Sequence, residues 1–256
     1  MLAGQTMRAS DGYEVALFPL EYMYITQGEM MPSGWSHYNV YNMDFEGYGP
    51  NGRVYTCPLY APFTMKVVAL WDYNGSHTVT FESVDKVHFA DGSLDYMTIE
   101  FTHCVNPPYH TIGQVINQGQ LCYYTGTFGN GQSGYYGDHV HICAGKGHYD
   151  GYTQRTGGHY DLTNRWHLYD SLYINDTVIS YDSHNYPWQT YTGPTPPTPT
   201  PTIRSKFPWV LYARKFRERN SADWHCFLII VNFTYLWYNK NRKEFLLWCQ
   251  KKILKN

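Results

Sequence analysis

The chain has 256 residues, 43% of them hydrophobic and 18% aromatic, with only 16% charged and a formal net charge of −2. That composition excludes a disordered polymer and suits one substantial domain with a packed core plus an appendage. The 26 tyrosines, 22 glycines and sparse charges favour strands and turns over long surface helices, so a mainly β protein is expected.

The N-terminal stretch MLAGQTMRASDGYEVALFPL has no basic start, long apolar run or small-residue cleavage site, so no secretory signal is expected and the chain is read as made in a cytoplasm. The strand signals then follow densely. VYTCPLYAPFTMKVVALWDY (54–73), SHTVTFESVDKVHF (76–89), DYMTIEFTHCV (95–105) and DHVHICAG (138–145) carry β-branched and aromatic residues, with Gly, Asn or Asp at the breaks. The Asp91-Gly92 pair is a hairpin cue. No helix-period pattern of comparable length appears before residue 160, so an antiparallel sheet domain with long loops is predicted over 1–192.

A Pro/Thr-rich spacer, GPTPPTPTPT within 193–203, favours an extended conformation that joins neither sheet nor helix. It also divides the charge. Residues 1–203 hold 7 basic and 18 acidic side chains, a balance of −11, and 204–256 hold 12 basic and 3 acidic, a balance of +9. The segment 204–256 is basic and aromatic. Its uncharged run from Trp224 to Asn239 is shorter than the ~20 residues a membrane span needs. The following NKNRKEFLLWCQKKILKN reads as a short amphipathic basic helix that would lie on an anionic wall polymer or membrane surface, with a pairing or packing helix and a poorly ordered end as the competing readings. No nucleic-acid partner is expected. The six cysteines form no CxxC pair and read as reduced, buried small hydrophobes.

GDHVHI places His139 and His141 two residues apart on a strand, so their side chains leave from one face. That arrangement suits one metal ligand beside one group acting on what the metal activates. WSHYNVYNMDFEG (35–47) adds His37 and Asp44, and IEFTHCV ends on a strand-terminal histidine, His103. Three of these five suffice for a zinc site, because hydrolytic zinc takes three His or carboxylate ligands and leaves a position for water. The remaining two histidines would be free to move protons or steady an oxyanion.

In order and content these segments resemble the lysostaphin-like, LytM-type zinc endopeptidases of bacterial cell walls (peptidase family M23), over about residues 15–150. SHYNVYNMDFEG resembles that family's first motif, YAPFTMKVVAL its Ala-Pro strand, and FTHCV its lone histidine segment. INQGQLCYYTGTFGNG resembles its Gly-Gln turn and Gly-rich loop, and GDHVHI its closing strand. The resemblance implies Zn2+ held by His37, Asp44 and His141, with His103 and His139 catalytic. Six residues separate His37 from Asp44 where the compact family form has three, an interval closer to the phage-type members. The implied activity is hydrolysis of peptide bonds in peptidoglycan, as in a phage endolysin that reaches the wall after release from the host cytoplasm. Loop tyrosines such as Tyr135 and Tyr136 would line the groove.

Two other readings compete. A degenerate family member would keep the fold as a catalytically inactive wall-binding or activating protein, and a Cys/His hydrolase would use Cys57 or Cys104 as nucleophile.

Overall fold

The computed structural model describes residues 3–71, 76–155 and 160–196. The spacer beyond 196 and the expected helical segment at 204–256 lie outside the described residues.

Nine strands form one sheet: β1 (Tyr22–Gln27), β2 (Asn42–Phe45), β3 (Met65–Trp71), β4 (Thr78–Ser83), β5 (Met97–Thr102), β6 (Val115–Ile116), β7 (Val140–Lys146), β8 (Arg165–Trp166) and β9 (Val178–Tyr181). Their order is β6-β3-β4-β5-β7-β2-β1-β9, with β8 also pairing β7. Every pair is antiparallel except β9 with β1. Among the described residues the only α-helix is the single turn Leu168–Ser171. The chain is thus mainly β and mostly antiparallel, as composition and turn signals predict.

The expected strand at 54–73 divides into Pro58–Tyr60 and β3, because the Ala61-Pro62-Phe63 segment between them includes a proline that cannot donate to a ladder. The stretch at 76–89 divides likewise into β4 and Val87–His88. The Asp91-Gly92 turn joins Val87–His88 to its antiparallel partner Leu94–Asp95, with Gly92 at φ 83°.

Strand alternation gives the central sheet two unlike faces. Met43, Phe45, Val79, Phe81, Met97, Ile99, Phe101, Val140, Ile142 and Ala144 point to one side and belong to a single buried apolar cluster. Each large side chain buried there contributes about 1.5–3 kcal/mol. The other face carries Asn42, Asp44, Thr78, Thr80, Thr98, Glu100, Thr102, His141 and Cys143. It is covered too, since every residue of β4 and β5 is buried.

Residues after β7 roof this polar face. Tyr149 donates its backbone N–H to Glu82, Tyr152 meets the Thr80 hydroxyl, and the Cys143 thiol reaches Asp161, which Arg165 neutralises at 3.0 Å. A burial pattern that is polar yet closed to bulk water marks a face whose groups have partners or a task.

Candidate metal centre

The polar face is organised in rows by the ladder register. One row runs Thr78–Thr102–His141–Asp44, with His141 directly opposite Asp44 on β2 and Thr102 on β5. Direct pairing brings side chains on one face to about 5 Å. The His141 Nδ1 to Asp44 Oδ1 distance is 2.9 Å.

His37 comes from a loop, not a strand. Its Nδ1–H donates to the Gly28 carbonyl at 2.9 Å, an assignment forced because a carbonyl can only accept. That bond fixes the tautomer and turns the Nε2 lone pair toward Asp44 Oδ1, 3.4 Å away. Ligand atoms of His37, Asp44 and His141 all lie within 4.8 Å of one another. The longer interval between His37 and Asp44 is taken up by a loop in which Asn39 adopts φ 57°, so the spacing does not prevent convergence.

His103 and His139 flank this triad. The ring of His103 lies 4.9 Å from that of His139 and 5.7 Å from that of His141, centroid to centroid. Each donates Nδ1–H to a backbone carbonyl, His103 to Phe128 at 2.9 Å and His139 to Gly137 at 2.7 Å, leaving both Nε2 atoms as acceptors. Strand parity alone would send His103 to the apolar side. It sits one residue past β5 at φ 69°, a left-handed conformation that costs a non-glycine residue about 1–2 kcal/mol and turns the chain toward the polar face. The segment 125–129 holds both histidines in place. Gly126 exchanges two backbone hydrogen bonds with His139, and Phe128, which accepts from His103, stacks on the ring of His77.

The charges couple tightly. Burial opposes ionisation of Asp44, but His37 and His141 outweigh it and hold its carboxyl well below the ordinary range. Burial also disfavours protonated His37, and the Asp44 carboxylate reverses this, so the His37 pKa is raised. For His141 burial wins and the pKa falls. Burial, followed by the charges of His141 and His139, pushes His103 down to about 3, so it stays a neutral acceptor at physiological pH.

Two clefts meet at these histidines. One, about 350 Å³, runs from His37, His103 and His141 toward Asn42 and Glu100. The other, about 320 Å³, runs past Asp44 and His139 toward Glu46. Tyr136 lines both, while Tyr135 packs edge-on against Tyr136 and lines neither. A larger cavity of about 560 Å³ beside Tyr109 and His110 contains none of the candidate residues.

All five sequence-predicted residues therefore converge. The donor set fits zinc: two imidazole nitrogens and one carboxylate oxygen, with at least one histidine oriented by a backbone carbonyl. Cys57 and Cys104 are buried, and burial pushes the Cys57 thiol up to about 11 and the Cys104 thiol well above its usual value, so neither is an available thiolate.

Sequence reasoning missed Asp138, which accepts from the Thr125 hydroxyl at 2.6 Å and the Thr56 N–H at 3.1 Å and so anchors the residue before His139. It also missed Asn42 and Glu100 in the first cleft. Their signal was strand parity, which places Asn42 on the face of Asp44 and Glu100 on the face of Thr102.

No family model matches the chain. Its sequence is 29% identical over 186 residues to Morphogenesis protein 1 of Bacillus phage B103, an alignment covering 72% of this chain and 47% of that protein. The chain thus spans about half the length of that curated relative. Similar solved structures include the catalytic domain of the antimicrobial peptidase lysostaphin from Staphylococcus simulans, with TM-score 0.32, 17% identity, and coverage of 50% of this chain and 80% of that one. A zinc-containing peptidase from Vibrio cholerae gives TM-score 0.34, 17% identity, and coverage of 52% and 38%. At these scores a functional reading rests on the geometry of the site.

Proposed function

We propose that this chain is a zinc metalloendopeptidase that hydrolyses peptide bonds of bacterial peptidoglycan. The observation that carries the reading is the convergence of His37, Asp44 and His141 within 4.8 Å, with His103 and His139 presenting free Nε2 atoms beside them at the junction of two clefts. Zinc held by the three ligands would supply Lewis acidity, polarising the scissile carbonyl and bringing the pKa of water toward ~7. His103, kept neutral by burial, accepts the proton of the attacking water at Nε2. His139 Nε2 lies on the Asp44 side, where once protonated it donates to the developing oxyanion or the leaving amine. Two clefts on either side of the histidines let an extended peptide lie across them. The order of motifs, similar to that of lysostaphin-like enzymes, supports peptidoglycan as the substrate and a site of action at the cell wall after synthesis in a host cytoplasm.

The purified chain is expected to carry close to one zinc ion and to lose wall hydrolysis on treatment with o-phenanthroline, with recovery on adding zinc. Full turnover of peptidoglycan by a metal-free preparation defeats the reading, and zinc binding without turnover leaves the inactive wall-binding alternative.

A second reading concerns when the enzyme acts. The likeness to a phage morphogenesis protein favours a chain built into a phage particle over an endolysin released at the end of infection. Mass spectrometry of purified particles decides: a stoichiometric chain in the particle supports the first, and a chain confined to the soluble lysate supports the second.

A further inference from the structure

Of the six residues between His37 and Asp44, the last two, Asn42 and Met43, already belong to β2. Residues 38–41 lie outside any strand or helix, so no ladder sets how the loop ligand His37 stands against the strand ligand Asp44. Residues after 160 hold this interval instead. Arg165 Nη1 donates to the Asn39 carbonyl at 2.7 Å and to Asp161 Oδ2 at 3.0 Å. The same Asp161 Oδ2 accepts the Tyr41 N–H at 3.1 Å. Two backbone groups on either side of Val40 are thus tied to one ion pair through charge-assisted bonds, the stronger kind. The Asp161 side chain is fully buried, and Arg165 is anchored where β8 pairs with Gly145 of β7. The ring of Tyr41 meets the Arg165 guanidinium at 4.4 Å and stacks on His167 at 4.0 Å.

The other support of His37 is gripped from the same part of the chain. The Gly28 carbonyl orients the His37 ring, and the next residue, Glu29, is held twice. Its carboxylate meets His167 Nδ1, and its carbonyl accepts from the Tyr186 hydroxyl at 3.2 Å. A Cβ atom at Gly28 would overlap that hydroxyl, so Tyr186 lies directly on the peptide that turns the ligand.

We propose that the segment 161–186, beyond the motifs that carry the ligands, is a clamp for the metal centre. Arg165 with Asp161, and Tyr186, are its positioning residues. None of them touches a ligand atom; they act through the backbone of Asn39 and Tyr41 and through the Gly28-Glu29 peptide. A ligand on a loop binds metal tightly when the loop already holds the bound conformation, because ordering it at the moment of binding subtracts from affinity. A six-residue interval has more freedom to lose than a three-residue one, and the clamp removes it in advance. The inference rests on the metal reading of the centre and is independent of the identity of the substrate.

The test uses the full chain and zinc alone, with affinity read by competition against a chromophoric chelator and the coordination geometry read from the visible spectrum of the cobalt(II) form. Arg165→Met should weaken zinc binding roughly tenfold or more and alter the cobalt spectrum, the scale on which the supports of metal ligands act. Arg155→Met is the control. Arg155 approaches the same Asp161 at 3.9 Å and donates to the Leu162 carbonyl, with no hydrogen bond to 38–41 among the described residues, so it should bind zinc as tightly as the native chain. Tyr186→Phe keeps the ring and deletes one hydrogen bond; it should weaken zinc roughly threefold, and it carries the test if Arg165→Met fails to fold. Native affinity and spectrum in both Arg165→Met and Tyr186→Phe, or an equal loss in Arg165→Met and Arg155→Met, overturns the clamp. A native chain that binds neither zinc nor cobalt removes the metal reading and the clamp with it, whereas zinc binding without hydrolysis of peptidoglycan removes the peptidase reading alone.

Discussion

His139 and His141 are two residues apart on one face, yet their nitrogens meet different neighbours. His141 Nδ1 faces Asp44 at 2.9 Å, within the cluster of three potential ligands, whereas His139 commits Nδ1 to the Gly137 carbonyl and keeps its Nε2 3.8 Å from Asp44. His141→Ala is therefore expected to lose the zinc together with activity. His139→Ala should retain the metal and lose ~10²–10⁴-fold in rate, the usual scale for a proton-transfer group. Metal analysis and peptidoglycan hydrolysis on both variants check the division, which equal zinc loss in the two would refute. Asp44 sits among three histidines, so it is the residue on which the electrostatics of the centre depend.

The elements that hold these residues set the next expectations. At Gly126 a Cβ atom would lie 2.2 Å from the Val105 backbone nitrogen and 2.5 Å from the Cys104 carbonyl carbon. Gly126→Ala must push apart the segments that carry His103 and His139. It should lower the melting temperature and reduce hydrolysis at least as strongly as His139→Ala, and a variant with the native rate would show that the segments yield without consequence. Glu82 on β4 ties β3, through Lys66 at 3.0 Å, to the roofing loop, through His148 and the Tyr149 N–H. Burial would raise its pKa, but these partners outweigh burial and lower it. A depressed carboxylate contributes stability that is present above its unfolded pKa and lost as pH falls through the lower folded value. Thermal melts from pH 6 downward should therefore show stability falling below about pH 4.5, with a shallower slope in Glu82→Gln; identical slopes would remove Glu82 from the account.

At the scale of the whole molecule, every residue assigned to chemistry lies between 37 and 141, and the residues that roof its face end before the proline-rich spacer. We propose that the +9 balance of 204–256 would be attracted to anionic wall polymers or anionic lipid, an attraction that salt would screen over ~8 Å at physiological ionic strength. A chain ending at Thr192 is expected to hydrolyse soluble peptidoglycan fragments at the full-length rate while sedimenting less with intact walls or anionic vesicles. Raising salt should weaken binding of the full chain only in part, because the aromatic run at 226–238 adds a salt-insensitive share. Loss of soluble-fragment hydrolysis on truncation would place the segment within the catalytic unit instead.

Composition, runs of β-branched and aromatic residues and the turn residues determined a mainly β, antiparallel domain. The pair His139 and His141 announced a shared face, because side-chain direction on a strand is a local property of the chain. The motif order also made His37, Asp44 and His103 legible as a set. Tertiary structure alone decided the rest. The register of β7 between β2 and β5 placed His141 opposite Asp44 and Asn42 across from Glu100, and a positive φ at His103 overrode the strand parity that would have turned it to the core. Partner carbonyls from Gly28, Phe128 and Gly137 then selected which imidazole nitrogen faces the site. Apart from the local Gly137–His139 bond, these contacts join residues nine or more apart in the chain, and local propensity cannot encode them because their energy exists only once the sheet has closed.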